Sequence, residues 1–286
     1  MSYNFMKETT KQVLVGTAWL ITLLAVIGGT MLWQHQVRKP RHNVDGITVT
    51  STERVPVLLL LDTALDAEQQ RQLIATMQRN NGSQPVTTVQ ISTNGKIKFD
   101  GQIRTSDNRP YFKLVLSKGL TATKKSQLIK KAIIAAKENY HFDKYNLVCY
   151  GDGGLVATHY LEHTAPSLAP IHLVTIATAF NGTDQRYNSQ KTNPVEHNQR
   201  TTNPTQLIKK RKALNPKTKV LLIAGNAKGH RNGDGVVPIQ SALAGQSIFQ
   251  PVIKNYQQTV IHSWHASHTH ILESWKLGDA IQDFID

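Results

Sequence analysis

Four stretches of this chain are dominated by consecutive apolar residues: VPVLLLL (Val55 to Leu61), YNLVCY (Tyr145 to Tyr150), IHLVTIAT (Ile171 to Thr178) and KVLLIAG (Lys219 to Gly225). A strand with one face in water alternates apolar and polar residues, whereas a strand buried on both faces reads as a run. VTTVQIST (Val86 to Thr93), YFKLVLS (Tyr111 to Ser117) and YQQTVIHS (Tyr256 to Ser263) are further strand candidates. Between Lys124 and Tyr140 the apolar residues fall at helical spacing with lysines on the other face, and the C-terminal WKLGDAIQDFID reads as a short amphipathic helix. Strands alternating with helices predict an α/β fold, a mostly parallel central sheet flanked by helices on both faces.

A second constraint lies at the N-terminus. From Gln12 to Val37 there is no Lys, Arg, Asp or Glu, and VLVGTAWLITLLAVIGGTMLW is about as long as the ~20 residues a helix needs to cross hydrocarbon. A cleaved signal would have a shorter apolar region and a clear small-x-small site. The expected organisation is a tail (1–11), one transmembrane anchor (12–33), a polar linker (34–50) and a globular domain (51–286). Lys7 and Lys11 precede the span while Arg38, Lys39 and Arg41 follow it, and a strict count of positive charge would keep the domain inside. Long domains are exported despite such flanks, so the expectation is a single-pass protein of the cell membrane with its domain outside. The lone Cys149 excludes an internal disulfide without naming the compartment.

The formal charge is +14, and apart from the anchor flanks its densest cluster is KKRKALNPKTK, Lys209 to Lys219. No aromatic residue is interleaved there and no nucleic-acid module is recognisable, which argues against specific nucleic-acid binding. A solvated helix end and loop accounts for the run; attraction to an anionic membrane or envelope polymer is the alternative. GNAKGHRNGDG (Gly225 to Gly235) matches neither a P-loop nor a dinucleotide fingerprint and reads as a flexible loop, with anion binding as the lesser alternative.

LVCYGDGGLVATHYLE, Leu147 to Glu162, reads as a strand turning sharply into a helix with glycines at the corner. With HLVTIATAFNGTD, NGDGVVPIQSAL and HASHTHILES, it resembles the α/β-hydrolase fold. More narrowly it resembles bacterial membrane-anchored hydrolase-like proteins described as cell-surface hydrolases of unknown function. Active members have the corner Gly-x-Ser-x-Gly-Gly, a strained turn that exposes the serine oxygen. Aligned on this pattern, Cys149 takes the first small position and Gly151 the nucleophile position, followed by Asp152, Gly153 and Gly154. The resemblance places the orienting carboxylate on Asp234 and the general-base histidine on His268. Relatives carry a His-Gly pair after the first strand to build the oxyanion hole; here Asp62 and Thr63 stand there.

Two departures, a missing hydroxyl and an acidic oxyanion loop, imply a catalytically degenerate protein that binds a small-molecule ligand or envelope partner through the retained cleft. The alternative is an active esterase- or lipase-like hydrolase with an unorthodox nucleophile, for which Asp152 is the candidate. That choice shifts the frame by one residue and puts bulky Tyr150 where a small residue is wanted. Cys149 falls inside the strand, where a thiol is usually inert. His262, His265, His268 and His270 raise the question of a metal, but no paired cysteine or metalloprotease motif accompanies them. No cofactor is implied, and the oligomeric state is not legible.

Overall fold

The computed structural model describes residues 2–37, 53–79, 82–104, 107–229 and 233–286. Arg38, Lys39 and Arg41, most of the expected linker, Asn81, and His230 and Arg231 of the glycine-rich loop lie outside the described residues. Contacts divide the chain into two units, Met1–Asn43 and Val44–Asp286.

The first unit is one helix, α1 (Ser2–Val37). Its segment Val13–Trp33 spans 21 residues without a charge and is long and apolar enough to cross a membrane. At 1.5 Å per residue this reaches about 30 Å, the thickness of a hydrocarbon core. Three threonines lie within it, and each hydroxyl donates to a carbonyl one turn back: Thr17 to Val13, Thr22 to Ala18 and Thr30 to Val26, at 2.8–2.9 Å. An apolar solvent offers hydroxyls no other partner.

The second unit is built on an eight-stranded sheet. In chain order it contains β1 (Val57–Leu60), α2 (Ala67–Gln78), β2 (Val86–Ile91), β3 (Ile97–Asp100), β4 (Tyr111–Leu116), α3 (Ala122–Tyr140), β5 (Asn146–Tyr150) and α4 (Asp152–Leu161). There follow β6 (His172–Ile176), α5 (Thr202–Lys210), β7 (Lys219–Ala227), α6 (Ile239–Leu243), α7 (Gln246–Phe249), β8 (Tyr256–Ser263) and α8 (Trp275–Ile285). The strand order is β3-β2-β4-β1-β5-β6-β7-β8, and every pairing is parallel except β2 with β3. This is the architecture expected from the runs, and β1, β5 and β6 are buried along their whole length.

Two apolar layers cover the sheet. One joins Leu58, Val89, Leu114 and Leu147 to α3, α4 and the α6–α7 region; the other joins Val57, Leu59, Val148 and Ile223 to α2 and α8. The second layer reaches only the first residues of β4 and β2, Tyr111 and Val86; beyond them Gln90, Val115 and Lys98 face outward as exposed residues.

Several elements differ from the expectation. Helix α2 went unread because its only buried residues are Leu73, Thr76 and Met77; its start is nevertheless marked by a capping box between Asp66 and Gln69. Strand β3 is short, half-exposed and antiparallel, so it leaves no apolar run. The helix after the corner begins at Asp152, directly after Gly151. The polar stretch after Asn181 is pinned by that fully buried side chain, whose amide donates to the carbonyls of Tyr187 and Gln199 and to Asn188 Oδ1. Its own Oδ1 accepts from Thr201 N–H. Lys209 and Lys210 occupy the last turn of α5, as a solvated helix end should.

At the end of α4, Glu162 is 6% exposed, and burial pushes its carboxyl up to about 8. A carboxyl with a raised native pKa binds its proton more tightly when folded. Its contribution to stability therefore falls as pH rises from the ordinary value of 4.5 through about 8, and is flat above. Glu162→Gln should raise the melting temperature relative to wild type at alkaline pH and change it little near pH 5. Thermal unfolding of the full chain across that window checks this; parallel curves would contradict it.

Candidate functional site

The carboxyl ends of β1, β5, β7 and β8 converge, and each carries one part of the site. At the end of β5, Gly151 has φ 57° and ψ −129°, a conformation that glycine enters without the steric cost a side chain imposes. Two residues on, α4 packs so tightly against β1 that a Cβ on Gly153 would overlap the Leu60 carbonyl oxygen. The sharp turn and the docked helix are the strand-to-helix corner anticipated above, with glycine where a side chain would be displayed.

That space is filled from another element. A Cβ on Gly151 would lie 2.6 Å from Asp62 Oδ2 and 3.1 Å from Asp62 Cβ. The same Oδ2 accepts a hydrogen bond from Asp152 N–H at 3.3 Å, while Oδ1 accepts from Ala64 N–H at 2.8 Å. The amide of the residue after the corner is the one that stabilises an oxyanion in serine hydrolases of this shape. Here it is engaged by the chain's own carboxylate. Thr63 is half-buried in the turn that Asp62 and Leu65 close.

Opposite lies a well-ordered acid–imidazole pair. His268 Nδ1 is 2.7 Å from Asp234 Oδ2, and His268 N–H donates to the Asp234 carbonyl at 2.8 Å. Asp234 is 2% exposed, and its second oxygen accepts from the amides of Val236 and Val237 at 2.9 and 2.6 Å. A carboxylate so held fixes the imidazole tautomer and orientation, as a general base requires. Tyr150 adds a contact that sequence reasoning missed: its hydroxyl donates to the His268 carbonyl at 2.5 Å, and the two rings lie 5.2 Å apart. Burial first, then the negative charges of Asp234 and Asp62, push the Tyr150 hydroxyl up, so it stays a neutral donor.

The other candidates separate. Asp152 is exposed at the first turn of α4, and among the described hydrogen bonds none joins its carboxylate to His268. Cys149 is fully buried inside β5, and burial pushes its thiol up, away from the reactive thiolate. His262 pairs with Asn226 and His270 with Ser267, at 3.0 and 2.8 Å, while His265 is exposed. Among the described residues no group of three or more His, Cys, Asp or Glu could hold a metal.

Gly151 and Asp62 compete for one volume, so their substitutions should be coupled. Gly151→Ser should destabilise by roughly 1–3 kcal/mol from backbone strain, with a further loss from overlap with Asp62. Adding Asp62→Gly should recover part of that loss, about 0.5–3 kcal/mol of coupling. Denaturation of the single and double variants tests it, and strict additivity would refute the shared volume.

Comparison with known proteins agrees with this architecture. The product of lin2722 from Listeria innocua superposes with a TM-score of 0.74 at 25% identity, over 82% of this chain and 94% of that one. A "putative cell surface hydrolase" from Lactobacillus plantarum WCFS1 gives 0.68 at 23%, over 82% and 92%. The mature lipase BlEst2 of Bacillus licheniformis gives 0.51 at 13%, over 83% and 94%, a likeness of fold alone. No curated protein matches the sequence. The family model described as alpha/beta hydrolase of unknown function (DUF915) matches residues 47–286, and the chain belongs to that family.

Proposed function

We propose that this is a single-pass membrane protein whose globular domain (51–286), held outside the cell, is catalytically degenerate and works by binding a ligand or envelope partner. The observation that carries this reading is the Asp62 carboxylate, which lies against Gly151 and takes the Asp152 amide. On this reading Asp234 and His268 are the vestigial acid and base, and Gly151 is the empty nucleophile position. An oxyanion developing about 4 Å from Asp62 would be opposed by roughly 4 kcal/mol at an effective dielectric of ~20. That is about a thousand-fold in rate, in addition to the missing hydroxyl. Membrane attachment draws support from the 21-residue apolar helix segment, and placement outside from the Lactobacillus plantarum relative, whose description is "putative cell surface hydrolase".

The intact Asp234–His268 pair favours a second reading, an active ester hydrolase that uses a carboxylate nucleophile. Asp152 is its candidate: its carboxylate would attack the ester carbonyl, break the ester C–O bond and release the alcohol, leaving a mixed anhydride that water opens to the acid and the free carboxylate.

Full-length protein in neutral detergent should show negligible hydrolysis of short-chain esters and no labelling by a serine-reactive phosphonate. Gly151→Ser alone should remain unlabelled, because Asp62 occupies the oxygen's place. Gly151→Ser with Asp62→Gly should label, with His268→Ala abolishing it. Wild-type turnover that is lost in Asp152→Asn would establish the second reading. Membrane fractionation should find the full chain in the bilayer, and protease added to intact cells should cut the domain; a protected domain would reverse the orientation.

A further inference from the structure

Parallel sheets are ordinarily covered on both faces. Here the parallel pair β2–β4 and the antiparallel edge β3 are covered on one face by α3, while the other face is open beyond Tyr111 and Val86. The register aligns Lys98, Gln90 and Val115 in one row across that open face, and Asp100, Thr88 and Lys113 in the next. A cavity of about 570 Å³ lies over the first row, with Lys96, Lys98, Ser92 and Ser117 around it. A second, of about 180 Å³, runs from Lys113 and Lys118 to Thr63 and Asp62. The two share Val115 and Leu116, and form one trough that ends beside Gly151.

Its walls are predominantly basic, and Asp100 of the second row lines neither cavity. The larger cavity has no Asp or Glu in its wall, and the smaller has only Asp62, at the far end. None of Lys96, Lys98, Lys113 and Lys118 forms an ion pair among the described residues. Lys96 and Lys98 line one end of the trough and Lys113 and Lys118 its middle, so a ligand with a single charged head would meet only one pair. A chain with charge repeated along its length would meet all four. No aromatic side chain lines either cavity, so nothing there can stack a nucleobase. Hydroxyls of Ser117 and Thr63 supply further donors for oxyanions.

We propose that this trough binds a linear polyanion without nucleobases, laid across the open face of β2, β3 and β4. The proposal shares only the Asp62 end with the reading above. It is tested by binding alone, so it stands or falls whether or not the corner is catalytic.

The test titrates full-length protein in neutral detergent with fluorescently labelled linear polyphosphate. Poly-glutamate and oligothymidylate serve as comparison arms, between about 50 and 200 mM salt. Lys96→Gln/Lys98→Gln and Lys113→Gln/Lys118→Gln should each weaken polyphosphate binding roughly tenfold and flatten its salt dependence, since each removes two released counterions. Lys209→Gln/Lys212→Gln, exposed at the end of α5 and away from the trough, should leave affinity within about twofold. Polyphosphate binding more tightly than poly-glutamate assigns phosphate as the repeating anion, and the reverse assigns carboxylate. The proposal is overturned if no polyanion binds, if the trough variants bind as wild type, if the α5 pair weakens binding equally, or if oligothymidylate binds tightest.

Discussion

The approach of α4 to β1 governs the rest of the site. With no Cβ at Gly153, the helix can rest against the Leu60 carbonyl, and this brings its first turn beside the residues that follow β1. That proximity is why a carboxylate leaving β1 at Asp62 reaches the amide of Asp152, ninety residues later in the chain. Were the helix held farther away, Asp62 would face solvent and the corner would be open. This glycine-dependent packing lets a neighbour fill the space beside Gly151.

Because the sheet is parallel, its functional groups collect at one edge without further design. The ends of β7 and β8 deliver Asp234 and His268 from loops that are mutually braced: the imidazole takes the carboxylate, and its own backbone amide takes the aspartate carbonyl. Tyr150 ties this pair to the strand that carries the corner. Rigidity of the pair therefore does not depend on catalysis. An acid–imidazole couple can persist as a structural clasp, since each polar atom it buries already has a partner.

Much of the fold was legible because burial on two faces writes itself as apolar runs; β8 was delimited to the residue and β1, β5 and β6 nearly so. Asp234 and His268 were legible through resemblance, not through spacing. What escaped reading was everything whose signal is spatial. The overlap between Asp62 and Gly151 joins residues far apart in sequence, and no periodicity reports it. The open face of β2 and β4 also escaped, since Gln90 and Val115 look like ordinary members of a strand until the coverage of each face is known. Helix α2 is different: its capping box was present in the sequence, but its thin apolar stripe gave too little periodicity to follow.

The filled corner also imposes an order on substitution. A serine arriving first at position 151 would meet Asp62 at once, in a backbone conformation that already strains any side chain. Losing the Asp62 carboxylate first removes that obstacle and costs only hydrogen bonds to two amides near the surface. Of the two shortest routes to a side chain at this corner, one is thus obstructed and one is open. Acceptance of a hydroxyl at position 151 is therefore path-dependent, because the packing of one neighbour decides it.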